Sequence, residues 1–349
     1  MKIHEKYISR CIDIAKNGLG TTAPNPMVGC VIVHDSNIIG EGYTSPYGGA
    51  HAEVNAINSV KDKSLLKEAT LYVTLEPCSH FGKTPPCCDL ILKYKIPHVV
   101  VGCLHPNPEV AGKGVEKLKK AGVEVEEGVL KTDCENLIKK FFTYHQQKRP
   151  FITLKWAKTK DGFIDKLRDE KEKGQFVISG PQSKVFVHKL RTEHDAILIG
   201  PGTAFNDDPR LNARWYEGKS PIRIVLDRFA KLPDFLVLFS DDSETWHFST
   251  KGYNRIGNKR KVVLPEKNFL NEVLDYCFAQ GIQSILVEGG AVIFTAFIKT
   301  HLWDEVVEIK SSKSIGAGLP APKINAHVIN REYIGGDEIT IYKNVVPAV

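Results

Sequence analysis

His51-Ala52-Glu53 and the later run Pro77-Cys78-Ser79-His80-Phe81-Gly82-Lys83-Thr84-Pro85-Pro86-Cys87-Cys88 hold the residue types best able to do chemistry in this chain. One imidazole and two thiolates can grip a zinc ion and leave its fourth position to water. Zinc brings the pKa of such a water close to neutral, and a nearby carboxylate can carry its proton. Together these groups suit hydrolysis at an electron-poor ring carbon bearing an amino group, with the nitrogen leaving as ammonia. His51, Cys78 and Cys87 are the candidate ligands and Glu53 the candidate proton carrier. Cys88 competes with Cys87. Adjacent side chains point in different directions, so one of the two reaches the ion, and spacing alone leaves the choice open.

A lone His-x-Glu is ordinarily surface and a lone cysteine pair ordinarily core, so the elements around them carry the reading. A helix is expected from His51 to about Val60, a β-branched strand over Thr70 to Glu76, and a second helix from Pro85-Pro86 to about Lys95, since proline suits a helix's first turn. Residues i and i+2 lie about 200° apart on a helix. His51 and Glu53 can therefore approach one ion only if it sits off the helix's N-terminal end. The cysteines also fall before or at a helix start, where the helix dipole favours thiolate. The order His-x-Glu, Pro-Cys, Cys is a signature of zinc-dependent nucleobase deaminases. An amphipathic opening helix, strands at Val28–His34, Asn37–Tyr43, Val99–Leu104 and Val123–Glu126, and a helix over Gly112–Ala121 complete a βαβ alternation. It predicts a mixed sheet with helices on both faces.

The 349 residues suit two domains on a prior of about 150 each. A hydrophobic content of 42% with 25% charged residues is ordinary for a globular chain. The net charge of +6 suits anionic small molecules such as sugar phosphates and does not demand nucleic acid. No apolar run reaches the roughly 18 residues of a transmembrane helix. The start lacks an apolar signal core, so a cytoplasmic location is expected. The cysteines cluster early, with only Cys277 beyond Cys134. That pattern favours metal ligation over a disulfide scaffold. Cys11, Cys30, Cys103 and Cys134 lie in apolar runs and read as small core residues.

Cys134 to Gln147 reads as an amphipathic helix that Lys148-Arg149-Pro150 breaks, which places the boundary between domains 1–147 and 148–349. Beyond it, strands are expected at Phe151–Ala157, Ala196–Gly200, Ile222–Asp227, Phe235–Phe239, Lys261–Leu264, Ser284–Val287, Glu305–Ile309 and Glu338–Tyr342. Helices are expected at Ser183–Thr192, Phe269–Gln280 and Val292–Thr300. A strand running into Gly289-Gly290 and then a helix is a candidate phosphate cradle, although it lacks the doubly wound dinucleotide fingerprint. The charged run Lys166 to Lys173 reads as a solvated loop and a lid candidate.

The long loop between the cysteines narrows the class. The run Pro77 to Cys87, Asn25-Pro26-Met27-Val28-Gly29 and Asn107 to Gly114 resemble the deaminase half of the bifunctional riboflavin-biosynthesis deaminase/reductase family. Lys155-x-Ala157-x-Thr159-x-Asp161-Gly162, Asp195 to Thr203, Asp207 to Leu211 and Val287 to Ala291 are similar to its reductase half. The resemblance implies an N-terminal cytidine-deaminase-like mixed-sheet α/β/α domain and a C-terminal dihydrofolate-reductase-like α/β domain. It implies one zinc per chain, NADPH and a homo-oligomer. The implied substrate is a diaminopyrimidinone with a ribosylamino phosphate, deaminated to the uracil. A hydride delivered to the ribose anomeric carbon then opens the sugar to ribityl.

Carried over residue by residue, zinc ligation falls to His51, Cys78 and Cys87, and proton transfer to Glu53. Asn25, His80 and Lys83 would touch the first substrate. In the second half Lys155 would be catalytic, with Gly174, Arg191, Leu211, Arg214 and Glu288 facing substrate. Ala157, Phe176, Thr203, Asp207, Gly290, Ala291, Val292 and Ile293 would hold the dinucleotide. The chain departs from the family at His105, where aspartate is usual, and at Thr159-Lys160, where Ser-Leu is common.

Two other readings share the zinc motif. A nucleic-acid base deaminase would want a basic, aromatic-rich second half, and residues 151–349 show no such stripe. A deaminase with a non-reducing scaffold domain is the reading that Thr159-Lys160 favours.

Overall fold

Five consecutive residues, Gly29 to Val33, are buried, so the strand they form is covered on both faces, as a near-continuous apolar run requires. This is β1 (Gly29–His34), the second strand of a five-stranded sheet in the first of two compact units, Met1–Lys148 and Arg149–Val349. The computed structural model describes residues 3–81, 85–168, 173–252 and 259–345.

In the first unit, β2 (Asn37–Tyr43), β3 (Thr70–Leu75), β4 (His98–Cys103) and β5 (Glu124–Glu127) join β1 in the order β2-β1-β3-β4-β5. β1 runs antiparallel to β2 and β3, while β3, β4 and β5 are parallel. The expected mixed sheet is present. Its helices are α1 (Ile3–Ala15), α2 (Ala52–Ser59), α3 (Cys87–Lys93), α4 (Lys113–Lys120), α5 (Lys131–Leu137) and α6 (Lys139–Gln147). The single helix expected over Cys134–Gln147 is two, because Ile138 leaves helical geometry at φ −117° and ψ 32°. Cys11, Cys30, Cys103 and Cys134 are buried in this unit's core.

The second unit carries β6 (Phe151–Lys158), β7 (Phe163–Asp165), β8 (Ala196–Ile199), β9 (Ile222–Leu226), β10 (Thr245–Ser249), β11 (Arg260–Val263), β12 (Ser284–Gly289), β13 (Glu305–Lys310), β14 (Leu319–Pro320), β15 (Ala326–Ile334) and β16 (Asp337–Asn344). Its helices are α7 (Pro181–Thr192), α8 (Pro201–Asp207), α9 (Val237–Ser240), α10 (Phe269–Ala279) and α11 (Ala291–Lys299). The main sheet runs β11-β10-β9-β8-β12-β6-β13-β16-β15. Every pairing from β11 to β13 is parallel, and β16 and β15 close the sheet antiparallel. The ends of β8, β9, β10, β12 and β6 therefore open on one edge, where ligands bind in parallel α/β sheets.

Three expectations need correction here. The strand expected at Phe235–Phe239 is a bend into α9, where the Val237 N–H donates to the Asp208 carboxylate at 2.8 Å. Leu232, Leu236 and Leu238 fill a small core with Ile197, Ile199 and Val225, and a short apolar run shows no period that separates strand from helix. β10, rich in β-formers and wholly buried, was not expected, nor was β15. The charged run is not wholly solvated. Arg168 folds back onto Asp165 at 2.8 Å and onto the Gly174 carbonyl at 2.6 Å, while 169–172 lie outside the described residues. Among the described residues no helix is long and apolar enough to cross a membrane.

Candidate active sites

His51 caps α2 from an extended conformation, φ −72° and ψ 164°. That backbone takes its side chain out of the helical spacing that would separate it from Glu53. Cys78 follows β3 in the loop after Pro77, and Cys87 opens α3. The His51 Nδ1 lies 3.3 Å from the Cys87 Sγ and 3.7 Å from the Cys78 Sγ, and all three candidate ligand atoms lie within 4.8 Å of one another. Imidazole and thiolate on one tetrahedral zinc stand about 3.6 Å apart by their bond lengths. The donor set and its spacing fit that ion.

The first backbone N–H of α3, at Cys87, donates to the Cys78 sulfur at 3.3 Å. Hydrogen bonds from Cys87 and His51 hold the Cys78 thiol below its ordinary range against the cost of burial. That direction favours the thiolate, the form that ligates a metal. Cys88 diverges from its neighbour. Its Sγ–H donates to the Pro77 carbonyl at 3.3 Å and the Gly114 carbonyl at 3.5 Å, and burial pushes it up to about 12. Gly114 must be glycine for this packing: a Cβ there would stand 2.0 Å from the Pro77 oxygen.

Glu53, 4% exposed, lines the same cavity. Burial first, then the charge on Cys78, pushes its carboxyl up to about 7. A carboxyl with that value can take and return a proton near neutral pH. The cavity holds about 300 Å³, and His51, Glu53 and Cys78 share its wall with Asn25, Tyr47, His80, His105 and Phe141. Of the expected substrate contacts, Asn25 and His80 face this space; Lys83 lies outside the described residues. His105 and Phe141 were not read as cavity residues. The only signal for His105 was its departure from the family pattern.

In the second unit Glu288, at the end of β12, binds two cations. Arg191 of α7 meets it twice, at 2.7 and 2.8 Å, and Lys155 of β6 meets it at 3.0 Å. Burial opposes the charge on Glu288, but Arg191 and then Lys155 hold its carboxyl well below the usual range. Lys155, Ala157, Phe176, Asp207 and Glu288 share a cleft of about 180 Å³. Asp207 is pushed up to about 6, chiefly by burial. Gly174 reaches the same loop region through its N–H, which donates to the Asn206 carbonyl at 2.8 Å.

α8 and α11 start side by side, because Gly289 of β12 pairs with Ile199 of β8. A Cβ on Gly289 would lie 2.6 Å from the Thr203 hydroxyl, and Gly290 turns the chain into α11 at φ +93°, a conformation that favours glycine. The α11 N-terminus therefore begins at Ala291 with no side-chain cap on Gly290, and helix starts of this kind suit an anion. Val292 is 80% exposed and Ile293 packs toward Gly200. Two expected residues sit elsewhere. The Leu211 side chain is in the core beside Ile197 and Val225. Arg214 bonds the Asn212 side chain at 2.7 Å on a separate, open depression. The Asn212 carbonyl also accepts from Arg191 at 2.9 Å, so that strip adjoins the charged cluster.

Thr159 and Lys160 have plain structural places. The Thr159 hydroxyl accepts from the Phe163 N–H at 3.0 Å and laces the turn into β7. Lys160 is exposed. Neither lines the cleft.

A zinc-type donor set beside a buried carboxyl, and a parallel sheet edge with a charged cleft, define a two-activity enzyme of the deaminase-plus-reductase class. Residues 1–103 match the cytidine and deoxycytidylate deaminase zinc-binding region, and residues 150–324 match the RibD C-terminal domain. The chain belongs to the family of the riboflavin biosynthesis protein RibD. It is 40% identical over 324 residues to the RibD of Aquifex aeolicus, covering 91% of this chain and 89% of that one. The RibD of Escherichia coli is 36% identical over 331 residues, with 90% and 89% covered. Among solved structures, a Thermotoga maritima diaminohydroxyphosphoribosylaminopyrimidine deaminase/5-amino-6-(5-phosphoribosylamino)uracil reductase superposes with a TM-score of 0.87 at 37% identity, covering 98% of this chain and 99% of that one. Acinetobacter baumannii RibD gives 0.88 at 30% identity, with 99% of each covered. The protein is thus a zinc-dependent deaminase and an NADPH-dependent reductase of riboflavin biosynthesis, and its two units have cytidine-deaminase-like and dihydrofolate-reductase-like folds.

Proposed function

We propose that residues 1–147 deaminate 2,5-diamino-6-(5-phosphoribosylamino)pyrimidin-4-one and that residues 148–349 reduce the ribosyl group of the product to ribityl. The observation that carries this reading is the convergence of His51, Cys78 and Cys87, with His51, Cys78 and the buried Glu53 lining one cavity. His51, Cys78 and Cys87 hold the zinc, and Glu53 moves the proton. Zinc, when bound, supplies a Lewis acid that acidifies water. Glu53, buried beside that site, would accept a proton from the attacking water and hand it to the departing nitrogen. Asn25 reads the ring edge with its amide, and His80 and Lys83 hold the anionic end.

In the second unit the Lys155 and Arg191 cations meet on Glu288, and Lys155 and Glu288 line the cleft. Lys155 is the catalytic cation and Arg191 holds the phosphate, with Arg214 reaching it from the adjoining strip and Gly174 on the substrate side. Thr203, Asp207, Ala157, Phe176 and the turn from Gly290 to Ile293 hold NADPH. The enzyme works on small phosphorylated pyrimidines in the cytoplasm, as a homo-oligomer, without nucleic acid or membrane. A cavity of about 300 Å³ supports the small-molecule part, and light scattering on the purified protein tests the oligomer.

Mass spectrometry tests the scheme. The protein is incubated with the aminopyrimidine phosphate, with and without NADPH. The uracil should form in both arms and the ribityl product only with NADPH. Ribityl product that still carries the amino group would reverse the proposed order, and uracil without ribityl product under NADPH would select the scaffold reading of the second domain.

A further inference from the structure

His105 stands in the wall of the deaminase cavity with its two ring nitrogens in different surroundings. The backbone N–H of Asn107 donates to its Nδ1 at 3.0 Å. Nδ1 is therefore an acceptor, and the neutral ring carries its proton on Nε2. No group among the described residues pairs with Nε2, and that atom is not sealed in the interior. The ring is also held in place. Phe141, another wall of the cavity, meets it edge-on at 5.2 Å and 84°, and the His145 ring lies 5.4 Å away. Burial, then His145 and His80, push its pKa down to about 4, so the neutral tautomer persists at working pH. Close by, the Glu76 carboxylate accepts the Gly112 N–H at 2.8 Å and fixes the loop that follows His105.

We propose that His105 is a specificity-determining residue of the deamination site, donating its Nε2–H to an acceptor oxygen of the bound substrate. The oxygen belongs to the phosphate or to the ring and sugar. This inference rests on the deaminase reading of the site. A donor fixed in a largely apolar cavity rejects a substrate that offers no acceptor, because its N–H is then left unpaired when water is displaced.

Steady-state deamination by wild type, His105→Phe and His105→Gln tests the role. Phenylalanine keeps a ring against Phe141 and removes the donor, whereas glutamine returns an amide N–H near the Nε2 position. Zinc content and NADPH-dependent reduction of the uracil report on folding in each variant. His105→Phe should raise KM about 10- to 100-fold, the worth of one such hydrogen bond. Its kcat should stay within about threefold, because the contact is uniform binding, and His105→Gln should recover most of the loss. With the dephosphorylated riboside as substrate, a His105→Phe penalty that vanishes names the phosphate oxygen as acceptor, and one that persists names a ring or sugar oxygen. A His105→Phe KM equal to wild type, or a His105→Gln no better than His105→Phe, would overturn the role. Absence of deamination by the wild type would instead remove the functional reading beneath it.

Discussion

At Cys87 and Cys88 one peptide bond separates a proposed ligand from a core residue. Cys87 Sγ is 3.3 Å from the His51 imidazole, while Cys88 is spent on two carbonyls. Cys87→Ala should lose stoichiometric zinc and deamination together, and Cys88→Ala should keep both, as read by metal analysis beside activity. Glu53 offers a second test. Glu53→Gln should retain zinc yet lose about 10²- to 10⁴-fold in kcat, the usual worth of a positioned acid–base group. Its carboxyl also makes stability pH-dependent in metal-free protein. Folding raises it from 4.5 to about 7, so its contribution is complete below the lower value and is lost as pH rises through the upper one. Over that interval metal-free wild type should lose up to about 3 kcal/mol relative to Glu53→Gln, measured by denaturant unfolding at each pH.

Elements decide how much could be read in advance. The zinc cluster was legible because its residues sit at helix starts after a strand, where spacing and the sense of the helix dipole can be argued from the chain alone. Cys87 against Cys88 was not, since their opposite directions follow from the turn of α3 and from carbonyls at Pro77 and Gly114. In the second unit, strand and helix order was largely visible. The burial that defines β10 is plain only in the structure, and the five apolar residues Phe235 to Phe239 show no period that separates strand from helix. Arg168 lies in a charged run, and its fold-back onto Asp165 and toward Asp207 is seen only in the structure. The Gly289-Gly290 turn had a local signal and a local reason. Gly290 is at φ +93° and ψ 115°, so Gly290→Ala should cost about 1–3 kcal/mol through backbone strain. It should also weaken NADPH binding, as followed by fluorescence titration, with the zinc content unchanged.

At the scale of the molecule the chain places a hydrolytic site and a redox site in separate compact units, each with its own sheet and core. The central claim is that zinc, held by His51, Cys78 and Cys87, serves only the first of them. Its most direct test is ammonia release from the aminopyrimidine phosphate before and after complete zinc removal by a chelator, with NADPH oxidation on the deaminated substrate measured in the same samples. Ammonia release should fall to background and return with added zinc, while NADPH oxidation holds constant throughout. Undiminished ammonia release from protein shown to contain no zinc would contradict the account.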